Sequence, residues 1–329
     1  MSTVAPPAHH PRSHGGTREP SRDGTTAPGA PRRRRRRFSR KTRDTLLAYA
    51  LVLPSLLVFG TFVFYPFVKN FWLGLYRTPP FPGLPRKWVG ISQYRDVLTS
   101  HLFTNSLKVT IEFVLLTVPV GIVLGLLLAV LAHQRLRGIG FFRTVFSSTV
   151  VTSVAVASLI SLTLLNPQIG LLNYWFGRTG SLSPLDDPKW ALIAVAGVTI
   201  WQNLGLSFII MSAGLQAVPD DLLEAARVDG AGAWSRFRNV TLPMLSPTLF
   251  FATIVGSILA FHSFGQIDLL TSGGPQDHTN VLVYAIYRTV FTDNDNGKAA
   301  VMAIALFAIT LVLTLVQLRL LERRVNYER

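Results

Sequence analysis

The sequence predicts an all-α integral membrane protein with six transmembrane helices. Of its 329 residues, 49% are hydrophobic and only 15% are charged, whereas about a quarter of the residues in soluble domains are charged. Six apolar stretches are long enough to cross the hydrocarbon core, which takes about 20 residues in a helix that satisfies its own backbone hydrogen bonds. The stretches comprise residues 46–68, 105–132, 141–165, 190–215, 247–269 and 299–321.

Residues 1–45 precede the first stretch and are predicted to form a disordered, basic cytosolic tail. They hold 12 of the 32 Lys and Arg residues, including six consecutive arginines at 32–37. The tail therefore accounts for most of the formal net charge of +15. A tail of this composition lies near anionic lipid or binds nucleic acid, and no aromatic residues alternate with the arginines as a base-stacking surface requires. We therefore predict membrane lipid, and no nucleic acid, as its partner.

The distribution of basic residues predicts the orientation of the chain, since loops rich in Lys and Arg stay in the cytosol. With the N-terminus inside, cytosolic segments hold 22 of the 32 basic residues, and both termini are cytosolic. Aromatic residues near the predicted outer boundaries are typical of a membrane interface. They are Trp72, Tyr76, Trp88, Trp175 and Trp190.

Residues 218–243, between the fourth and fifth stretches, have the pattern of two short helices joined by a turn. Pro219 suits the first position of a helix, and the two aspartates that follow suit its positive N-terminal end. Gly230 suits the residue that ends such a helix. Trp234 and Phe237 lie three residues apart on one side of a second helix, which we expect to end near Pro243. In the predicted orientation this segment is cytosolic.

The order of residues in this segment resembles the EAA loop of binding-protein-dependent ABC importer permeases. The matching residues are Glu224, Ala225, Ala226, Asp229, Gly230, Ala231, Leu242 and Pro243. In that family the loop forms the coupling helix, which docks in a cleft of the ATPase subunit and converts ATP-driven closure into movement of the membrane helices. The resemblance implies an ABC type I importer permease fold for residues 46–329 and a coupling role for these eight residues. The alternative is an amphipathic loop lying on the membrane surface.

Shorter matches over most of the chain are similar to the sugar-type permeases of this family. Residues 271–275 and 316–327 resemble the first permease subunit of the glycerol-3-phosphate importer. This resemblance implies alternating access for a carbohydrate-like solute, with glycerol 3-phosphate or glycerophosphodiesters favoured and a mono- or oligosaccharide as the alternative. It also implies a location in the bacterial cytoplasmic membrane and four kinds of partner. These are a second six-span permease subunit, two ATPase subunits, an extracytoplasmic solute-binding protein and membrane lipid.

The chain is not predicted to be an enzyme. It contains no Gly-rich loop ending in Gly-Lys-Ser/Thr, which a nucleotide-hydrolysing subunit needs to hold phosphate. It also lacks the His-Glu-x-x-His and Gly-x-Ser-x-Gly patterns of hydrolases, and it has no cysteine for a disulfide or a thiolate metal site. We therefore expect no catalytic residue, cofactor or metal on this chain, with ATP and Mg²⁺ bound by the partner ATPase.

Polar residues inside apolar stretches indicate either hydrogen bonds between helices or a solute pathway. The pathway candidates are Gln202, Asn203, His262 and Gln266, and Glu112 and Asp268 are further polar residues of this kind. Gln202 and Asn203 follow an aromatic residue, a combination that suits the apolar face and hydroxyl groups of a sugar. For each candidate both interpretations stay open.

Two further alternatives concern regions outside the coupling loop. A six-span channel or receptor would need a pore loop, a charged filter or a signalling domain, and none is visible in the sequence. The Gly/Pro-rich residues 271–278 are predicted to be external. They either contact the solute-binding protein or form a plain re-entrant turn.

Overall fold

The computed structural model describes residues 40–79, 84–134, 138–166, 170 and 183–322. The chain divides into two compact units, one ending at Leu57 and the other beginning at Val58. Within the first unit lies most of helix α1 (Arg40–Phe59), whose apolar side chains are exposed. A surface that is apolar on all sides is what lipid requires of a spanning helix. The predicted tail, residues 1–45, lies mostly outside the described residues.

Four helices in the described part of the chain are long and apolar enough to cross a membrane. They are Asp44–Leu73, His101–His133 (α4), Ala191–Gln216 (α7) and Asn296–Arg319, the last within α14 (Asn296–Glu322). The first continues from α1 through a π-helical turn, Gly60–Phe64, into α2 (Tyr65–Leu73). These four helices cover the predicted stretches 46–68, 105–132, 190–215 and 299–321.

The third predicted stretch, 141–165, is broken rather than straight. Its first half consists of α5 (Ile139–Ser148) and a 3-10 turn (Thr149–Val151), and its second half is α6 (Val154–Leu165). The halves meet at 103°. The break arises because Ser153 adopts an extended backbone and accepts a hydrogen bond from the N–H of Val156, so that it starts a new helix as an N-cap.

The fifth predicted stretch, 247–269, is also interrupted. Helix α11 (Ser246–Phe261) meets the preceding helical segment, Ala233–Met244, at 64° and ends before His262. A separate short helix, α12 (Gly265–Leu270), completes the stretch. The described residues therefore contain four spans, or up to six if each bent pair is one span.

The remaining elements connect these helices. A two-stranded antiparallel sheet pairs β1 (Tyr76–Arg77) with β2 (Lys87–Trp88), and α3 (Ser92–Leu98) follows it. Between α7 and α11 lie α8 (Asp220–Val228), α9 (Ala233–Arg236), a second π-helical turn (Phe237–Thr241) and α10 (Leu242–Met244). Helix α13 (Leu282–Phe291) precedes α14.

The core of the second unit forms where α4 packs along α7. The two helices approach closely at Gly125, where an added Cβ would lie 2.6 Å from the Cβ of Ser207. Small residues permit this approach, which matters because helices in lipid associate through close packing and not through the hydrophobic effect. Phe113, Val195 and Ile267 are fully buried in one core cluster to which both helices contribute.

The bend of the third stretch is held by a second close contact with α7. The N–H of Gly205 donates a hydrogen bond of 2.8 Å to the Oγ1 of Thr149. A Cβ at Gly205 would lie 2.9 Å from the carbonyl oxygen of Phe146, so no larger residue fits without movement of the chain. On the other side of the bend, a Cβ at Gly265 would lie 2.7 Å from Val154. Two glycines therefore allow the 103° bend to pack against its neighbours.

Candidate functional site

The coupling segment, which we define as residues 218–243, contains the two short helices that the sequence predicts. Helix α8 begins at Asp220, so Pro219 is its N-cap, one position before the predicted place. Asp220 and Asp221 lie in the first turn and Arg227 in the last, which complements the helix dipole at both ends. The buried side chain of Val218 connects the segment to α7.

Gly230 ends α8 as the sequence predicts, through a complete Schellman motif. Its backbone is left-handed, with a φ of +78°. The N–H of Ala231 donates to the carbonyl of Ala226 at 2.9 Å, and the N–H of Gly230 donates to the carbonyl of Arg227 at 3.1 Å. These two bonds satisfy carbonyl groups that the helix end leaves free. The turn between α8 and α9 is therefore defined by backbone geometry.

Helix α9 continues through the second π-helical turn into α10. The rings of Trp234 and Phe237 stack with their centroids 5.7 Å apart. In the π turn the N–H of Leu242 donates to the carbonyl of Phe237, five residues earlier. Pro243 follows, and a wider turn suits it because proline has no N–H and its ring would collide with the carbonyl of Asn239. The helix thus ends at Met244, one residue beyond Pro243, near which we expected it to end.

The eight residues of the EAA pattern fall on two sides of the coupling segment. Glu224, Ala225, Asp229 and Gly230 are exposed, whereas Ala226, Ala231, Leu242 and Pro243 are half-buried. The exposed side also carries apolar groups, with Val228 87% and Trp234 70% exposed. An exposed surface of carboxylates, small residues and large apolar residues is suited to docking of another protein. Val228 was missed by sequence reasoning, because nothing local distinguishes it from a core residue.

The structure brings two of the pathway candidates together. The Nε2 of Gln266 donates to the Oε1 of Gln202, and the hydroxyl of Ser263 donates to the Oε1 of Gln266 at 3.1 Å. Gln202 is 8% exposed and Gln266 is 5% exposed. The two amides therefore join α7 to α12 beside the interruption of the fifth stretch, so their geometry favours the interpretation as hydrogen bonding between helices.

Asn203 and His262 lie apart from this pair and from each other. Asn203 lines a cleft between α4, α7 and α11, together with Thr117, Thr199 and Ser207. His262 is exposed in another groove whose other residues are apolar except for two threonines. Of the further polar residues, Glu112 lies 3.8 Å from the ammonium of Lys108, and Asp268 is half-buried on α12.

The predicted external loop is tightly built rather than a plain turn. Ser272, Gln276 and Asp277 have positive φ values. The side chain of Asp277 accepts hydrogen bonds from Arg288 at 3.0 Å and from Asn280 at 3.1 Å, and the buried Thr279 donates to the carbonyl of Gly274 at 2.6 Å. Left-handed conformations at non-glycine residues persist only where surrounding contacts hold them.

Comparison with solved structures defines the class of protein to which this fold belongs. One neighbour is a bacterial ABC transporter involved in the import of the acidic polysaccharide alginate, with a TM-score of 0.74 and 22% identity over 86% of this chain and 97% of that chain. A bacterial alginate ABC transporter in complex with an alginate pentasaccharide-bound periplasmic protein gives a TM-score of 0.76 and 21% identity, over 88% and 98% of the two chains. The fold is that of a type I ABC importer permease.

Sequence comparison then assigns the family. Residues 121–327 match the family described as the binding-protein-dependent transport system inner membrane component, and the chain belongs to that family. It is 37% identical over 286 residues to the sn-glycerol-3-phosphate transport system permease protein UgpA of Agrobacterium fabrum, covering 86% of this chain and 97% of that protein. The UgpA of Rhizobium meliloti is 36% identical over the same shares. The predicted relationship to these permeases is confirmed.

Proposed function

We propose that this chain is the transmembrane permease subunit of an ATP-driven importer for glycerol 3-phosphate or glycerophosphodiesters, working by alternating access. The observation that carries this proposal is the 37% identity to a permease named for sn-glycerol 3-phosphate, extending over 97% of that protein. Agreement over the full length includes the coupling segment, the long helices and the loop 271–280. A shared fold alone would not distinguish this solute from the alginate of the structural neighbours.

In this proposal the membrane domain has six spans, with both bent pairs crossing the bilayer as broken helices. Irregular backbone is tolerated at membrane depth where it is enclosed by protein, and the bend at Ser153 packs against Gly205 and Gly265 in this way. Both termini are then cytosolic, which leaves residues 1–45 as a basic tail at the inner surface. Residues 46–329 form the permease domain.

The coupling segment is the proposed contact with the ATPase subunits, which bind ATP and Mg²⁺. Glu224, Ala225 and Asp229 offer an exposed surface, and Gly230 fixes the angle at which α9 leaves α8. From α9 the backbone is continuously helical through the π turn and α10 to the buried Leu245, beyond which α11 begins. A displacement of α8 by the ATPase would thereby be transmitted to α11 through continuous helical backbone. The π turn is the point on this path where the helical pitch can change.

The cleft that contains Asn203 is the best-supported part of the proposed solute pathway. It lies between three spanning helices and carries hydroxyl and amide groups among apolar ones, which can form hydrogen bonds with a polyol ester once the cleft opens. Gln202 and Gln266 would support the wall of this pathway through their mutual hydrogen bond. The remaining proposed partners are a second six-span permease, two ATPase subunits and an extracytoplasmic solute-binding protein, which the loop 271–280 would contact.

The experiment that tests this proposal is solute-stimulated ATP hydrolysis by the reconstituted transporter. The chain is purified with its partner permease and ATPase subunits, placed in proteoliposomes and supplied with candidate binding proteins. We expect stimulation by glycerol 3-phosphate or its diesters, and loss of stimulation when Glu224 and Gly230 are both substituted. Stimulation by a sugar alone would transfer the proposal to a saccharide importer, and failure to associate with any ATPase would refute the coupling role.

A further inference from the structure

A groove between the first half of α4 and the start of α7 changes from polar to apolar along its length. It is separate from both the coupling segment and the cleft at Asn203. Its polar lining comes from α4, from the turn before α7 and from the loop 271–280, and consists of Asn105, Lys108, Glu112, Lys189 and His278. Its apolar lining includes Leu115, Leu116 and Ile193. A molecule that fits this groove has one polar and one apolar end.

The charges of the polar end favour a singly charged anion. The Nζ of Lys108 lies 3.8 Å from the Oε1 of Glu112, one helical turn away. Asp187 is not part of the lining, and its carboxylate accepts a hydrogen bond from the backbone N–H of Lys189. The two lysines and one glutamate of the lining together carry one net positive charge. A phosphodiester carries one negative charge and therefore balances the groove.

The depth of the groove matches a lipid. Helix α4 has 33 residues, so it is roughly 50 Å long and extends about 10 Å beyond each side of a hydrocarbon core about 30 Å thick if it is centred. Lys108 lies about 10 Å from the start of the helix, at the boundary between headgroups and hydrocarbon, and Leu115 lies about 10 Å deeper. Leu115 is 65% exposed and Ile193 is 47% exposed, as lipid-facing side chains would be.

We propose that this groove binds an anionic phospholipid, with the phosphodiester between Lys108 and Lys189 and an acyl chain along Leu115 and Ile193. A free phosphate ester shares the headgroup chemistry, but it leaves the apolar half of the groove uncovered. The groove at His262 is lined by apolar residues, threonines and that one histidine. It lacks lysine and carboxylate groups and would hold acyl chains without regard to headgroup charge.

Trp190, which adjoins Lys189 and is 57% exposed, provides a fluorescent reporter for this site. The assembled transporter is placed in nanodiscs containing phosphatidylcholine with either brominated phosphatidylglycerol or brominated phosphatidylcholine. Quenching of Trp190 is taken as the difference between the wild-type chain and a Trp190→Phe variant. We expect stronger quenching by the anionic lipid. Each lysine contributes about 1 kcal/mol to the binding of an anionic lipid, or about 5-fold in affinity. The double variant Lys108→Gln, Lys189→Gln should therefore weaken the preference for the anionic lipid roughly 30-fold.

Two controls separate charge recognition from structural damage. Lys87→Gln, at an exposed lysine on β2 outside the groove, should leave the preference unchanged. Arginine at both groove positions should retain it, because the charge is kept. Equal quenching by the two brominated lipids would overturn the proposal, as would an unchanged preference in the double glutamine variant. Loss of the preference on adding sn-glycerol 3-phosphate would also overturn it and assign the groove to the free solute.

Discussion

Substitution of Gly230 by valine tests whether the geometry of the coupling segment transmits force. The backbone of Gly230 has a φ of +78°, which costs an L-residue about 1–2 kcal/mol, with β-branched side chains at the upper end. No atom lies within 4 Å of an added Cβ, so the strain is confined to the backbone. A strain of this size lowers the ratio of chains with the Schellman motif formed to chains without it by a factor of about 5–30. Coupled ATP hydrolysis should fall by a similar factor.

The structure provides two matched variants for this experiment. Gly232 lies two residues further on with a φ of −65°, and an added Cβ also meets no atom within 4 Å. Gly232 is also the N-cap of α9, where serine is well accepted, so Gly232→Ser adds a Cβ at this position and should be nearly silent. Gly230→Asn should keep most of the activity, because asparagine tolerates the left-handed conformation.

The assay is solute-stimulated ATP hydrolysis in proteoliposomes, with co-purification of the ATPase subunits measured in parallel. For Gly230→Val we expect normal membrane insertion and normal amounts of assembled complex, because the exposed turn contributes little to the membrane core. Normal stimulation in this variant would refute the coupling role of the turn. An equal loss in Gly232→Ser would show that an added side chain, and not backbone conformation, is what the segment cannot tolerate.

Three further substitutions test the packing of the membrane helices through the thermal unfolding of the assembled complex. Gly205→Ala should destabilise it by about 1–3 kcal/mol through overpacking against the bend, whereas Gly197→Ala, on the same helix with open space around it, should be neutral or slightly stabilising; equal effects would contradict the close contact. Gln202→Leu should lower the stability of the complex by about 1–3 kcal/mol, because the side-chain amide of Gln266 loses its hydrogen-bond acceptor. Adding Gln266→Leu should recover part of that stability. A role in solute binding alone would not produce this recovery. Arg143→Gln should lower stability by about 1–3 kcal/mol, because two guanidinium hydrogen bonds to the carbonyl of Ala132 at the end of α4 are lost; an unchanged midpoint would show that this cap is unimportant.

The sequence predicted those parts of the fold that depend on local chemistry. Four spans were recognisable because long runs of apolar residues have no stable alternative to a membrane helix. The end of α8 was predictable because glycine is one of the few residue types that tolerates a left-handed conformation. The structure has the complete Schellman motif at Gly230. The two short helices of residues 218–243 were therefore predictable, with the start of the first within one residue.

The breaks in the third and fifth stretches were not predictable from composition. Ser153 is an N-cap in the structure, but a serine in an apolar stretch equally well bonds to the carbonyl four residues earlier, as Ser147 does to Arg143. Whether Ser153 caps a new helix depends on Gly205, more than 50 residues away in sequence. Gly205 has no side chain, so the bent segment can pack against α7. The contact between Gln202 and Gln266 likewise joins residues 64 positions apart and requires the tertiary fold.

The π-helical turns follow a pattern that links local sequence to structure. Each ends two residues before a proline, at Phe64 before Pro66 and at Thr241 before Pro243. Proline removes one backbone donor and crowds the carbonyl four residues earlier, and a wider turn relieves that crowding. The sequence predicts a helix end near the second of these prolines, and the helix does end one residue beyond it, at Met244, after the change of pitch.

The measurement that most directly tests the central claim is uptake of radiolabelled sn-glycerol 3-phosphate into proteoliposomes that contain the complete transporter. The solute is presented by its binding protein outside, and ATP is enclosed within. We expect uptake that requires both ATP and the binding protein, is blocked by unlabelled glycerophosphodiesters and falls by up to about 5–30-fold in Gly230→Val. Uptake of a saccharide instead, with no uptake of glycerol 3-phosphate under any binding protein, would contradict it.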